Sequence, residues 1–136
     1  MLNHYAALIY AMVITSAADE DMTDQELKTM GMLVHTLPAF EGFDPEDLPT
    51  VAATCGDILA EESEDGLERV LDLIHDSLPA HLRETAYAVS CEVAVSDGFL
   101  EQEELRLLEM MRHKLDISRL TAAAIEAGTR ARYARA

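Results

Sequence analysis

The chain has 136 residues, which suits a single domain and is long enough to bury a hydrophobic core. Hydrophobic residues make up 49% of the composition, which excludes a disordered chain. The 26 acidic residues outnumber the 10 basic ones and give a formal charge of −16, which disfavours nucleic acid and anionic lipid as partners and favours cations or basic proteins.

The first predicted helix runs from about Leu2 to Ala18. It is apolar on all sides, as expected at the centre of a bundle, and too short to cross a bilayer, which needs about 20 residues. We therefore expect a core helix and no membrane insertion. An acidic loop follows, and Thr23 with Glu26 forms a capping-box pattern that opens the second helix. Its predicted core face is Leu27, Met30, Leu33, Val34 and Leu37.

The middle of the chain predicts two further helices. The third is predicted from Asp44, which a proline follows at the first helical position, to about Glu62. Ser63 is expected to cap the fourth helix, which runs to Leu78 with Gly66 as a weak point in its first turn. The predicted inward residues are Leu48, Val51, Ala52, Cys55, Ile58 and Leu59 in the third helix, and Leu67, Val70, Leu71 and Ile74 in the fourth.

The fifth helix is predicted over about 79–96, and its second half is almost as apolar as the first helix. We expect these two helices to be the most buried and to pack on each other. Gly98 can end the fifth helix in a left-handed conformation. A sixth helix follows over about 101–115, with Leu105, Leu108 and Met111 inward, and a seventh after Ser118. The pattern predicts an all-α, single-domain bundle of about seven helices.

An internal repeat relates two halves of the chain, about 2–37 and 80–115, at an offset of 78 residues. Each half contains an apolar helix, an acidic loop and an amphipathic helix, in that order. The identical pairs are Asp19 and Asp97, Glu26 and Glu104, Leu27 and Leu105, Met32 and Met110, His35 and His113, and Leu37 and Leu115. The repeat predicts two pseudo-symmetric helix hairpins within one domain over 1–136.

An Asp closing an apolar helix, followed by a Glu in the first turn of the next helix, occurs at both ends of the chain. These motifs are Asp19-Glu20 with Glu26, and Asp97-Gly98 with Glu104. In this order, in an all-helical domain of this size, they resemble the TerB-type tellurite-resistance family. The first loop departs from the second in having Glu20 where the second has Gly98, which bears on its turn geometry.

The resemblance implies about seven helices, a bacterial role in tellurite resistance or wider chemical-stress responses, and metal binding, which has been proposed for the family. The same domain occurs in membrane-linked co-chaperones, but without a DnaJ segment or membrane anchor we do not expect that variant here. The chain has no nucleophile motif, glycine-rich phosphate loop or HExxH sequence, so we expect no enzymatic activity.

The two acidic loops carry carboxylates and no base, and oxygen ligands suit hard divalent cations. If the halves pack around a pseudo-twofold axis, one cation would be shared. Its ligands would be Asp19, Glu26, Asp97 and Glu104, with Asp21 and Glu92 as additional candidates. The alternative is plain helix capping by these acids. Glu92 also has other possible partners, namely an Arg, a Tyr hydroxyl, a helix N-terminus or water at a rim.

Two functions remain open from the sequence. The first is a cation-responsive stress protein that requires no other cofactor. The second is an acidic scaffold for a basic partner, because residues 41–68 contain ten acids and no Lys or Arg. A helical hydrolase or lyase has the least support. The expected partners are another protein or a second copy of the chain. Cys55 and Cys91 lack a CxxC spacing and lie in apolar surroundings, so we expect reduced, buried thiols and a cytoplasmic location.

Overall fold

The computed structural model describes residues 1–18, 22–61, 65–98 and 100–136. These residues form seven α-helices and two short 3₁₀ helices, at Pro38–Phe40 and Pro45–Asp47, and no strand. The α-helices are α1 (His4–Ala17), α2 (Asp24–Thr36), α3 (Leu48–Glu61), α4 (Gly66–Ser77), α5 (Ala80–Val95), α6 (Gln102–Lys114) and α7 (Arg119–Tyr133). The prediction of an all-α fold with about seven helices is confirmed.

Local hydrogen bonds explain where two helices begin later than predicted. The Asn3 side chain accepts a hydrogen bond from the Ala6 amide at 2.8 Å, so α1 starts at His4 rather than at Leu2. Asp44 caps the second 3₁₀ helix instead of a regular α-helix, and α3 begins only at Leu48. The predicted cap of α4, Ser63, lies outside the described residues.

The core is built on α1 and α5. Every residue of α1 from Ala7 to Ser16 is buried, and α5 is buried over most of its second half. These two helices have the most extensive contact in the described structure, which confirms that they pack on each other. Two of the polar side chains they bury are satisfied within their own helix, since Thr15 and Ser90 donate to the carbonyls one turn earlier, each at 2.8 Å.

The two core helices run in the same direction. Just before α1, the Leu2 amide donates to the Ser77 hydroxyl at 2.9 Å, three residues before α5 begins. Residues from the first turns of both helices, Tyr5 and Leu82 among them, line one cleft. The second helix of each hairpin also packs across on the other hairpin, because α2 contacts α5 and α6 contacts α1.

The two core helices have different covers. Helices α3 and α4 pack on α1, whereas α7 packs on α5. Gly66, predicted as a weak point, has a packing role at the contact of α3 with α4. A Cβ atom there would lie 2.9 Å from the Leu59 carbonyl oxygen, so glycine permits this close approach of the two backbones.

Two predicted core faces are wrong in part. Leu27 and Leu105 are 46% and 45% exposed, because the glutamates one position earlier turn inward instead. Leu107, which was not predicted, is buried. In α3 only Cys55 is buried, because α3 lies at the periphery of the bundle. The other predicted inward residues of α3 and one of α4 are half-buried: Leu48, Val51, Ala52, Ile58, Leu59 and Leu67.

Candidate functional site

The helices that precede the two acidic segments, α1 and α5, end at the same end of the bundle. Since α1 and α5 are parallel, with lengths of about 21 and 24 Å at roughly 1.5 Å per residue, they also end near each other. Helices α2 and α6 start there and run back along the core. We call this region, which contains Ala18, Thr23, Ser96 and Glu101, the loop end.

Glu26 is a buried carboxylate at the loop end, with only 1% of its surface exposed. Its Oε1 accepts hydrogen bonds from the Ser16 hydroxyl and from the Thr23 amide, each at 3.0 Å. In return, the Thr23 hydroxyl accepts from the Glu26 amide at 3.1 Å. This reciprocal arrangement confirms the predicted capping box. It also fixes α2 to α1, because Ser16 belongs to the core helix.

Glu104 occupies the equivalent place at the start of α6. It is also 1% exposed, and its Oε1 accepts from the Glu101 amide at 3.2 Å. Both glutamates are therefore the third residue of their helix and turn back towards the residue that precedes it. Carboxylates with so little access to water need hydrogen bonds or opposite charge around them.

The described surroundings of Glu26 contain neutral donors. None of the salt bridges formed among the described residues involves Glu26. Within the same ranges no group of three His, Cys, Asp or Glu residues lies close enough to hold a metal ion. Two predicted ligands, Asp19 and Asp21, lie outside the described residues, so the shared cation site stays a prediction.

The second loop begins with a left-handed glycine, as predicted. Asp97 follows α5 and is half-buried, and Gly98 has a φ angle of 87°. Only glycine adopts this conformation without strain. The corresponding residue of the first loop, Glu20, lies outside the described residues.

Glu92 has a partner on the cover helix α7. It is buried on α5, and its Oε1 accepts a hydrogen bond from Nη1 of Arg132 in a salt bridge. Its other oxygen, Oε2, is buried without a hydrogen-bond partner in the described structure. The neighbouring Tyr133 has a raised pKa, caused first by burial and then by the negative charge of Glu92. Of the partners considered from sequence, an arginine is present.

A polar pair under α7 was not predicted. The Tyr87 hydroxyl donates to Oε2 of Glu126 at 2.7 Å, beside a cavity of about 170 Å³ that Cys91 also lines. Burial, followed by this hydrogen bond, raises the pKa of Tyr87, and burial raises the pKa of Cys91 to about 12. The available sequence signal was Tyr87 itself, since a buried tyrosine hydroxyl needs a partner. Its partner, 39 positions away, is set by tertiary packing.

The described part of the chain contains no helix long and apolar enough to cross a membrane. Its architecture is that of an all-helical domain in which two helix hairpins share a parallel core and bury equivalent glutamates at one end. A family model described as tellurite resistance protein TerB matches residues 5–127, and the chain belongs to this family. Comparisons with curated proteins and with solved structures gave no match.

Proposed function

We propose that this TerB-family chain is a non-enzymatic, cytoplasmic protein of tellurite or wider chemical-stress responses that binds a divalent cation at the loop end. The proposed ligands are Asp19, Glu26, Asp97 and Glu104. The observation that carries the proposal is the burial of Glu26 and Glu104 at equivalent positions at the loop end.

The chemistry of the donor set suits this role. All four ligands are carboxylates, and oxygen-only sites favour Ca²⁺ or Mg²⁺ over softer metals. Two carboxylates about 4 Å apart repel by roughly 4 kcal/mol in a surface-like dielectric, and a cation shared between them would remove that repulsion. For Glu26, whose described donors are a hydroxyl and an amide, a cation would supply opposite charge. It would act by neutralising charge at the loop end.

The state of the cysteines supports the non-enzymatic and cytoplasmic parts of the proposal. Cys55 and Cys91 are both free and buried, and burial raises the pKa of each thiol to about 12. A thiol that remains protonated at neutral pH is a poor nucleophile. Unpaired thiols also suit a reducing compartment.

Thermal unfolding tests the cation site directly. The melting temperature of chelator-treated protein should rise with the concentration of Ca²⁺ or Mg²⁺, because a ligand that binds only the folded state stabilises it. Zn²⁺ and Mn²⁺ serve as comparisons. The double variant Asp97→Asn with Glu104→Gln should abolish the rise, and Gln at position 104 can still cap the helix.

A matched control removes two carboxylates elsewhere. Asp76→Asn with Glu84→Gln changes the net charge by the same amount near the opposite end of the bundle and should leave the cation response intact. A wild-type melting temperature that ignores all four cations would refute the site. Loss of the response in both double variants would indicate only general attraction of cations to an acidic protein.

The second candidate function is an acidic interaction scaffold. It is favoured by the acidic stretch 41–68, in which every described Asp and Glu is exposed. Binding of a basic partner would then persist in the presence of a chelator, which separates this function from one that depends on a cation.

A further inference from the structure

A groove lies beside the loop end, between α1, α3 and α6, with a volume of about 620 Å³. Its floor is apolar and includes Ile14, Leu59, Leu67 and Leu107. Gly56 and Ala60 line its α3 wall, and both are exposed. We call this feature the α3 groove. The size falls within the range of protein clefts that bind ligands, which is roughly 300–1,000 Å³.

Helix α3 is the reason that the groove is open. It is rich in apolar residues, yet Cys55 is its only buried residue, and those that face the core are half-buried. The small side chains at Gly56 and Ala60 leave a wall into which larger side chains could insert. Such an arrangement, with small residues along one wall and leucines on the floor, suits the apolar face of an added helix.

The charges around the α3 groove indicate which kind of added helix would be complementary to it. Asp57 and Glu61 follow the two small residues of the wall and are exposed, and Glu103 lines the opposite wall. Arg106 is the one basic residue among the described lining residues. The α3 wall also belongs to the acidic stretch 41–68, which lacks Lys and Arg. An apolar floor with an acidic border is complementary to an amphipathic helix with basic flanks.

We propose that the α3 groove binds an amphipathic helix of a partner protein, with an apolar stripe flanked by Lys and Arg. This proposal concerns a different surface from the cation ligands and does not depend on a bound cation. The chain's own basic helix, α7, is an unsuitable occupant from a second copy. It packs on α5, and its Arg132 already pairs with Glu92.

The first test uses three synthetic helical peptides and the full chain, with fluorescence anisotropy in the presence of a chelator. The probe has leucines at helical spacing flanked by lysines. One comparison peptide keeps the leucines and replaces the lysines by glutamates, and the other keeps the lysines and replaces the leucines by serines. We expect the probe to bind at least tenfold more tightly than either comparison, and less tightly as salt is added.

The second test fills the α3 groove. A Cβ atom at Gly56 would meet nothing within 4 Å, so Gly56→Leu should fold, and its side chain would occupy the space of an incoming residue. Gly128→Leu, on α7, is the matched control because Gly128 is also exposed in a helix with nothing within 4 Å. We expect at least a tenfold loss of affinity for the first variant and none for the second.

A charge test covers the case in which Gly56→Leu does not fold. Asp57→Lys with Glu61→Lys should weaken the probe at least tenfold. Asp76→Lys with Glu84→Lys, near the opposite end of the bundle, changes the net charge equally and should have a much smaller effect.

Three results would overturn the proposal. Equal binding of the serine peptide would show that the apolar floor is not used. Equal loss in both charge variants would show non-specific attraction. A dimeric wild-type chain that Gly56→Leu renders monomeric would assign the groove to a second copy. Binding that persists in the chelator supports the groove even if the cation site fails, so the two proposals are tested separately.

Discussion

The hairpins α1–α2 and α5–α6 bury the same positions with different side chains. Helices α2 and α6 begin 78 residues apart, end 78 residues apart and bury five residues each. In α2 these are Glu26, Thr29, Met30, Leu33 and Val34, and in α6 they are Glu104, Leu107, Leu108, Met111 and Arg112. Only the glutamate is the same in both helices. The direction in which each helix faces the core is therefore shared, while the packing chemistry is not.

The core helices differ because their covers differ. At equivalent positions, α1 has Ile14, which lines the α3 groove, and α5 has Glu92, which meets Arg132 of α7. Isoleucine suits a position among apolar side chains, whereas a buried carboxylate needs hydrogen bonds or opposite charge, which Arg132 supplies to Glu92. The comparison teaches that the identity of the covering helix decides which residue a repeated position can carry.

Removing the positive charge of Arg132 from α7, the cover of α5, should have the largest effect on stability. Arg132→Ala would leave Glu92 buried without opposite charge, and we expect a loss of about 2–3 kcal/mol in the free energy of unfolding. Glu92→Met should lose no more than about 1 kcal/mol, because exposed Arg132 then returns to water. Urea unfolding measures both. Arg130→Ala, in the same helical turn, controls for the helix dipole, and a larger loss from Glu92→Met would contradict this account.

The packing of α3 on α4, which together cover α1, should be sensitive to a substitution of Gly66. In Gly66→Ala the new Cβ atom would press on the Leu59 carbonyl oxygen, and we expect a net loss of about 1–2 kcal/mol despite the better helix propensity of alanine. Gly56→Ala is the control on the adjacent helix, where the added atom meets nothing within 4 Å. It should gain up to about 1 kcal/mol in urea unfolding. Effects of the same sign would show that the contact between α3 and α4 is not tight.

Local chemistry made much of the fold predictable. Helix formers and apolar spacing indicated an all-α bundle. The Thr23 and Glu26 pair marked the start of α2 correctly, since the helix begins at Asp24, one residue after the cap Thr23. The lack of a polar face on α1 and on the second half of α5 predicted that they pack together, since such helices are stable only when surrounded.

Features that depend on tertiary packing were less accessible. Hydrophobicity favoured Leu27 as a core residue, whereas the capping box and Ser16 turn Glu26 inward and leave that leucine exposed. The partner of Glu92 lies 40 positions away on α7, and no local pattern identifies it among the arginines. The predicted sharing of one cation by the two loops depends on Asp19, which lies outside the described residues.

The Ser16 hydroxyl joins α1 to Glu26 in the first hairpin. The second hairpin lacks this hydroxyl, since the equivalent residue of α5 is Ala94. Ser16→Ala should lose about 1 kcal/mol, because hydrogen bonds to charged groups contribute more than neutral ones. Ser90→Ala is a matched control, buried in the other core helix but bonded to its own backbone, and should change stability by less than about 0.5 kcal/mol. Equal effects in chemical denaturation would mean that the bond to Glu26 adds nothing.

The last comparison concerns the pH dependence of stability that arises from two thiols, Cys55 in the cover of α1 and Cys91 in α5. Burial raises the pKa of each to about 12, from an ordinary value of 9.0. The unfolded chain therefore releases these protons first as the pH rises, and each thiol lowers stability between about pH 9 and pH 12, by up to about 1.4 kcal/mol per pH unit. Below about pH 8 the contribution is constant, because both states are protonated.

Cysteine-to-alanine variants separate the contribution of each thiol to the pH dependence of stability from that of the tyrosines, whose pKa values are also raised. Cys55→Ala should lower the free energy of unfolding by about 1 kcal/mol at pH 7.5, through the small cavity it leaves. The difference from wild type should then vanish below about pH 10 and reverse by about pH 10.5, because the variant lacks an alkaline loss of roughly 1.4 kcal/mol per pH unit. Cys91→Ala should behave in the same way, since burial is the main cause at both sites. Urea unfolding at each pH provides the measurement. A pH-independent difference for one cysteine alone would show that water reaches that thiol, and would identify which of the two covers opens more readily.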